Sequence, residues 1–125
     1  MAYCRKRNLP VAKFDVEKDR VSVAPRFDVA VSMEVAEHLP APAADRYVDM
    51  LTRLAPVVVF TAATPGQGGN DHVNEQPHEY WIEKFASRGL VLDRDTANRW
   101  SGEWERGGRV RDWYHRNLMV FRASA

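Results

Sequence analysis

The run of residues 27–40, FDVAVSMEVAEHLP, constrains the fold more than any other part of the sequence. Residues 29–31 are apolar on both faces of an extended chain, as a central strand of a parallel sheet requires. Polar side chains follow abruptly, beginning with Ser32 and Glu34. Ligands of open α/β sheets bind beyond the carboxyl ends of the strands. The run predicts a buried strand that ends at the wall of a binding site, although its acidic residues are equally typical of a solvated helical turn.

The first half of the chain alternates strand and helix patterns. A helix over residues 2–8 is stopped by Pro10, and a short strand is expected over residues 11–16, followed by a polar loop at 17–26. Pro40 and Pro42 mark the start of a helix, since proline is tolerated in a first helical turn. An apolar face at helical spacing follows, made by Tyr47, Met50, Leu51 and Leu54. A second buried strand over residues 57–62 completes a strand–helix–strand unit, the pattern of parallel strands with a right-handed crossover.

The second half begins with a long irregular connection over residues 64–77. Loops of this length inside a small domain are usually functional or disordered, and this one follows a strand at the same edge as Ser32. A helix over residues 77–88 and a strand over 90–93 come next. Residues 95–116 carry Trp100, Trp104, Trp113 and Tyr114 and predict a short helical or irregular flap packed on the sheet. A closing strand at 117–122 is expected to run antiparallel to 90–93, because no long helical crossover joins them.

Length and composition limit the function classes. A chain of 125 residues forms one domain, and 18 basic against 17 acidic residues give a net charge of +1. Nucleic acid and anionic membranes are therefore not expected partners. Cys4 is the only cysteine, which fits a reducing cytoplasm. No apolar run approaches the length of a membrane span.

Several side chains of the predicted edge could carry chemistry. The imidazole of His72 could act as a general base, with Asn74 and Glu75 holding a substrate by hydrogen bonds; an ordinary loop histidine is the competing interpretation. Six residues invite a metal hypothesis: Glu34, Glu37, His38, His72, Glu75 and His78. Their spacing matches no strong metal signature, so we expect no metal. Nucleophilic hydrolysis lacks support, since the sequence has no G-x-S-x-G elbow.

The sequence resembles class I S-adenosylmethionine-dependent methyltransferases. The run at 27–40 is similar to their fourth-strand segment, and the similarity continues through PGQGG at 65–69, HVNEQP at 72–77 and NLMVF at 117–121. The resemblance implies an α/β fold with a Rossmann-like sheet, mostly parallel with one antiparallel C-terminal strand and helices on both faces. The implied strand order is third, second, first, fourth, fifth, seventh, sixth.

The resemblance also implies site residues. Asp15 corresponds to the acidic residue that receives the adenine amino group, and the backbone of Val16 would meet the adenine edge. The cofactor's methionine part would lie against three residues at the strand end and one beside them: Ser32, Met33, Glu34 and His38. The acceptor side would hold the predicted catalytic residues His72 and Glu75, and the substrate-binding residues Gln67 and Asn74.

Two parts of the family pattern have no counterpart in the sequence. The first strand with its glycine-rich turn, and the second strand with its ribose-binding acid, are both missing, and the glycines at 66–69 follow the wrong strand. The chain thus reads as a partial methyltransferase domain whose first third is absent. The strand at Val29–Met33 would keep an unpaired apolar edge, which predicts a homodimer and weak cofactor binding by a single chain. A non-catalytic remnant or interaction module is the alternative function; a metal-dependent hydrolase is a weaker one.

Overall fold

The computed structural model describes residues 2–21 and 27–124 of the chain. The helices are α1 Ala2–Lys6, α2 Ala41–Leu54, α3 His78–Ala86, α4 Arg94–Gly107 and α5 Asp112–Arg116. The strands are β1 Ala30–Met33, β2 Val57–Thr61, β3 Leu90–Leu92 and β4 Met119–Ala123, and a single 3₁₀ turn covers Ala36–His38.

The four strands form one sheet in the order β1-β2-β4-β3. β1 and β2 are parallel, and β4 runs antiparallel to both β2 and β3. The last strand therefore inserts between β2 and β3. This arrangement confirms an α/β fold with a mixed sheet and one antiparallel C-terminal strand.

The core lies between one face of the sheet and helices α2 and α3. Alternate residues of β2 and β4 point into it, as the twofold period of a strand requires. Its aromatic centre is Phe85, whose ring stacks on that of Phe121 at 4.0 Å, with Phe60 and Trp81 beside them. Tyr47 and Leu51 of α2 are buried against this centre, so the predicted apolar face of α2 is confirmed.

The opposite face of the sheet is covered unevenly. Val59 of β2 and Val120 of β4 point to that face and are 7% and 0% exposed. Val31 of β1 is 62% exposed, and the neighbouring Val29 is 47% exposed. Among residues 2–21 and 27–124, β1 is also paired on one side only, because it is the first strand in the sheet order. The prediction of a strand buried on both faces is wrong here: β1 is an edge strand with one open apolar face.

Two other sequence predictions differ from the structure. Residues 11–15 have no regular secondary structure and residues 16–18 form a turn, so the predicted strand at 11–16 is wrong. An isolated apolar run of this length becomes a strand only where a neighbouring strand pairs with it. The predicted loop at 17–26 lies partly outside the described residues.

The tryptophan-rich region is more regular than expected. Residues 94–107 form a helix of fourteen residues, with Asp93 accepting a hydrogen bond from Thr96 N at its start and Gly108 at φ 64° at its end. Its polar sequence and internal Gly102 lower its helix propensity, so propensity alone does not predict a helix of this length. The four aromatic side chains of this region, Trp100, Trp104, Trp113 and Tyr114, are partly exposed.

Within the described residues, each helix is too short or too polar to cross a lipid bilayer.

Candidate functional site

The candidate site lies where the carboxyl ends of β1 and β2 meet the loop at residues 62–77. Glu34 directly follows β1 and adopts φ 53°, a left-handed conformation that is uncommon for a non-glycine residue. Its backbone N–H donates to Thr61 at the end of β2, at 3.1 Å to the carbonyl oxygen and 2.9 Å to Oγ1. These bonds hold the two strand ends together and turn the Glu34 side chain toward the loop.

Three polar side chains form a hydrogen-bonded group at this edge. Nε2 of Gln67 donates to Oε1 of Glu34 at 2.9 Å, and Nδ2 of Asn117 donates to Oε1 of Gln67 at 2.7 Å. Asn117 precedes β4, whose antiparallel direction brings its amino end to the edge formed by the carboxyl ends of β1 and β2. The predicted residues Glu34 and Gln67 are thus in contact. Oε2 of Glu34 is buried and has no hydrogen-bond partner among the described residues.

Glu37 is the most deeply buried charged residue of the site, at 0% exposure. Its Oε1 accepts a hydrogen bond from Ala63 N at 3.1 Å, while its Oε2 has no partner among the described residues. Its backbone carbonyl accepts from the N–H groups of Val73 and Asn74. Burial raises the pKa of the Glu37 carboxyl above its usual value, and the nearby charge of Glu34 adds to that rise.

Glu75 organises the loop from within. Its carboxylate accepts hydrogen bonds from Gly66 N at 3.2 Å and Gly68 N at 2.9 Å, and Nδ1 of His72 lies 2.8 Å from its Oε2. The hydrogen bond with His72 is the main reason that the pKa of Glu75 lies below its usual value. A β-carbon at Gly69, which has φ 154°, would lie 2.6 Å from the His72 ring, so only glycine fits beside this imidazole.

The two histidines of the site lie side by side. The rings of His38 and His72 meet edge to face, with centroids 4.8 Å apart. His38 is exposed, and its Nδ1 lies 3.2 Å from the carbonyl oxygen of Asp71. One ligand atom each of Glu37, His38 and His72 lies within 4.8 Å of the other two.

Two of the predicted residues lie at the edge but are turned inward. Ser32 is 3% exposed, and its Oγ lies 2.6 Å from the hydroxyl of Tyr47 in α2. Asn74 is 4% exposed and accepts a hydrogen bond from Nε2 of Gln76 at 2.8 Å. Met33, the last residue of β1, is partly buried. In this conformation the side chains of Ser32 and Asn74 bond to other residues of the fold and are not exposed to a ligand.

The predicted adenine-binding residues lie in a separate turn. Asp15 accepts a hydrogen bond from Glu17 N at 3.0 Å, and its own N–H donates to Oδ2 of Asp19 at 2.6 Å. Val16 packs against the core and lines a cavity of about 470 Å³ together with Met50 and residues of the outer side of α2. None of the residues lining that cavity belongs to the Glu34–Gln67 or Glu37–His38–His72 groups.

Sequence reasoning missed two contributors to this edge, Asn117 and Tyr47, and did not predict the central position of a third, Glu37. Asn117 stands before a strand and gave no signal of its own, because its role depends on β4 inserting next to β2. Tyr47 was assigned to the apolar face of α2, and its hydroxyl bond to Ser32 depends on the tertiary fold. Glu37 entered only as one member of an acidic and histidine-rich list, whereas the structure makes it the buried centre of the group.

Searches of family models, of curated proteins and of solved structures found no match to this chain.

Proposed function

We propose that this chain is an S-adenosylmethionine-dependent methyltransferase domain that acts on a small-molecule acceptor. The observation that carries the proposal is the strand order β1-β2-β4-β3, with only β4 reversed. The resemblance implies the same order and directions for the fourth, fifth, seventh and sixth strands of the methyltransferase sheet. An antiparallel last strand placed between two strands of common direction is a specific arrangement, which favours this Rossmann-like family over a generic α/β fold.

The polar edge supports the same proposal. Methyl transfer requires a protein to bind the sulfonium cofactor, to align the acceptor and to accept a proton. Glu34 and His38 lie at the end of β1, where the cofactor's methionine part would sit. His72, held by Glu75, lies across from them with a ring nitrogen suited to accept a proton from an acceptor hydroxyl or amine. The nearly neutral net charge favours a small acceptor over nucleic acid.

The open edge of β1 is suited to pair with a second copy of the chain. Val29 and Val31 are exposed beside backbone groups that no described residue pairs with. Exposed apolar edges of this kind recruit another strand. We propose that a second copy of the chain covers β1 and that cofactor binding is strongest in this homodimer, in a cytoplasmic setting.

A non-catalytic interaction module is the second candidate. The observation that favours it is the inward orientation of Ser32 and Asn74, together with the position of the 470 Å³ cavity away from the polar edge. A module of this kind would keep the sheet and the dimer contact without binding the cofactor.

Equilibrium dialysis with radiolabelled S-adenosylmethionine separates the two candidates. The full chain, at concentrations at which it is dimeric, should bind the cofactor saturably and transfer the label to a pooled set of small-molecule acceptors. Glu34→Gln should weaken binding, while Glu79→Gln on the exposed side of α3 is the matched control and should not. Absence of saturable binding by a folded dimer would overturn the methyltransferase proposal and favour the module.

A further inference from the structure

The group Glu37, His38 and His72 combines a carboxylate and two imidazoles at one point of the polar edge. Glu37 and His38 come from the 3₁₀ turn after β1, and His72 comes from the facing loop. Their ligand atoms lie within 4.8 Å of one another. Two segments separated by more than thirty positions thus converge on a small polar space.

The carboxylate of Glu37 is only half satisfied. Oε1 accepts from Ala63 N, but Oε2 is buried and has no donor among the described residues. A buried carboxylate oxygen without a partner carries a desolvation cost that is usually offset by a donor or a cation. Oε2 of Glu34 is likewise buried without a partner among the described residues. Glu34 lies close enough to Glu37 for its charge to act on the Glu37 carboxyl. Two incompletely paired carboxyl groups at one place leave acceptor oxygens that a cation or a further hydrogen-bond donor would satisfy.

The histidines are oriented as metal ligands are. Nδ1 of His72 is hydrogen bonded to Glu75, and Nδ1 of His38 lies within hydrogen-bonding distance of Asp71 O. Metal-bound histidines characteristically use one ring nitrogen for the ion and the other for a carboxylate or a backbone carbonyl. The hydrogen bonds of the described residues leave Nε2 of both rings unused.

We propose that Glu37, His38 and His72 bind a divalent transition-metal ion, of which Zn²⁺ is the best fit. Two imidazole nitrogens and one carboxylate oxygen form a ligand set that holds Zn²⁺ and leaves a fourth position open. Metal–ligand bonds of about 2.1 Å place tetrahedral ligand atoms roughly 3.4 Å apart. The largest separation here is 4.8 Å or less, and His38 is exposed, so a small side-chain rotation closes the site.

This inference does not depend on methyl transfer. A metal with an open position would bind an oxygen or nitrogen atom of an acceptor, but it would also serve a domain that binds no cofactor. Nε2 of His72 cannot ligate a metal and accept a proton at the same time. The metal experiment therefore also tests the role of His72 as a base.

Titration of the metal-free full chain with Co²⁺ tests the proposal, because Co²⁺ takes up zinc-like coordination and absorbs visible light. We expect one equivalent to bind with the intense absorption of a four- or five-coordinate ion, and Zn²⁺ to displace it. His38→Asn should abolish this absorption, and Glu75→Gln should weaken binding by about 10- to 100-fold through the lost support of His72. His115→Asn, a partly exposed histidine in α5, is the matched control and should bind as the parent chain does.

Circular dichroism of each variant would establish that it is folded. A parent chain that shows no such absorption would overturn the proposal. So would a folded His38→Asn variant that binds Co²⁺ as tightly as His115→Asn, because the ion would then lie elsewhere.

Discussion

Nδ1 of His72 and Oε2 of Glu75 lie 2.8 Å apart, inside a loop whose two glycine amides bind the same carboxylate. The loop is thus folded around a side chain of its own. Because three donors converge on Glu75, its charge sets both the loop conformation and the orientation of the imidazole.

Glu75→Gln should loosen this loop. Glutamine keeps one acceptor oxygen, so it cannot serve Gly66, Gly68 and His72 together. We expect amide hydrogen exchange of Gly66 and Gly68 to become about tenfold faster, as the loss of a charge-assisted hydrogen bond implies. Glu79→Gln, on the exposed side of α3, is the control. Unchanged exchange at both glycines would show that the loop is held by other contacts.

The hydroxyl pair of Ser32 and Tyr47 should behave as a coupled unit. Tyr47→Phe leaves the Ser32 hydroxyl buried without its partner, and Ser32→Ala does the same to Tyr47, so each should lower the free energy of unfolding by about 1–3 kcal/mol. The double variant should cost clearly less than the sum, since it removes both groups. Urea unfolding of the four proteins measures this coupling. Strict additivity would mean that the 2.6 Å contact does not stabilise the fold.

Asp93 should contribute to the free energy of unfolding in a way that depends on pH in the acid range. Hydrogen bonds from the backbone N–H and the hydroxyl of Thr96, with Arg122 beside them, lower the pKa of Asp93 from 3.8 to about 2. Because the native pKa is depressed, the stabilisation is complete above pH 3.8 and is lost as the pH falls toward 2. The advantage of the parent chain over Asp93→Asn should shrink across that range. Asp95→Asn, on the exposed side of the same helix, controls for loss of a charge; an advantage independent of pH would contradict the capping role.

If the open face of β1 is the dimer contact, a charged residue placed on it should weaken the dimer. Val31→Glu should weaken self-association by at least about a hundredfold, because the new carboxylate would be buried without a partner. Val91→Glu places the same charge on β3, the opposite edge strand, and should leave association unchanged. Sedimentation velocity over a range of concentrations measures both. A parent chain that stays monomeric throughout, or loses association only with Val91→Glu, would contradict the β1 contact.

The sequence predicted the elements whose patterns are local. The helix after Pro40 and the strands β2, β3 and β4 follow from periodicity and prolines. β3 and β4 are antiparallel as predicted, but the reason given for it was wrong, because the helices α4 and α5 lie between them in the chain. The strand expected at residues 11–16 failed because strand formation requires a partner that a local pattern cannot reveal. The helix at residues 94–107 was underestimated because its caps, Asp93 and Gly108, define it better than its polar sequence does.

The sequence predicted where the site lies in the fold, but not how its side chains are oriented. Glu34, Gln67, His72 and Glu75 do meet at the carboxyl ends of the parallel strands. The inward orientation of Ser32 depends on the hydroxyl of Tyr47, fifteen residues away. The contribution of Asn117 depends on where the last strand inserts. Both are properties of the tertiary fold, which spacing along the chain does not encode.

Hydrogen–deuterium exchange of the full chain, with and without saturating S-adenosylmethionine, tests the central claim most directly. If the cofactor binds above the carboxyl ends of β1 and β2, amides at Met33–Glu34, in the loop around Gln67 and next to Asn117 should gain protection. The amino ends of the same strands and the turn between α4 and α5 should not change. Exchange that is unaffected by the cofactor, or protection confined to the opposite edge of the sheet, would contradict the account.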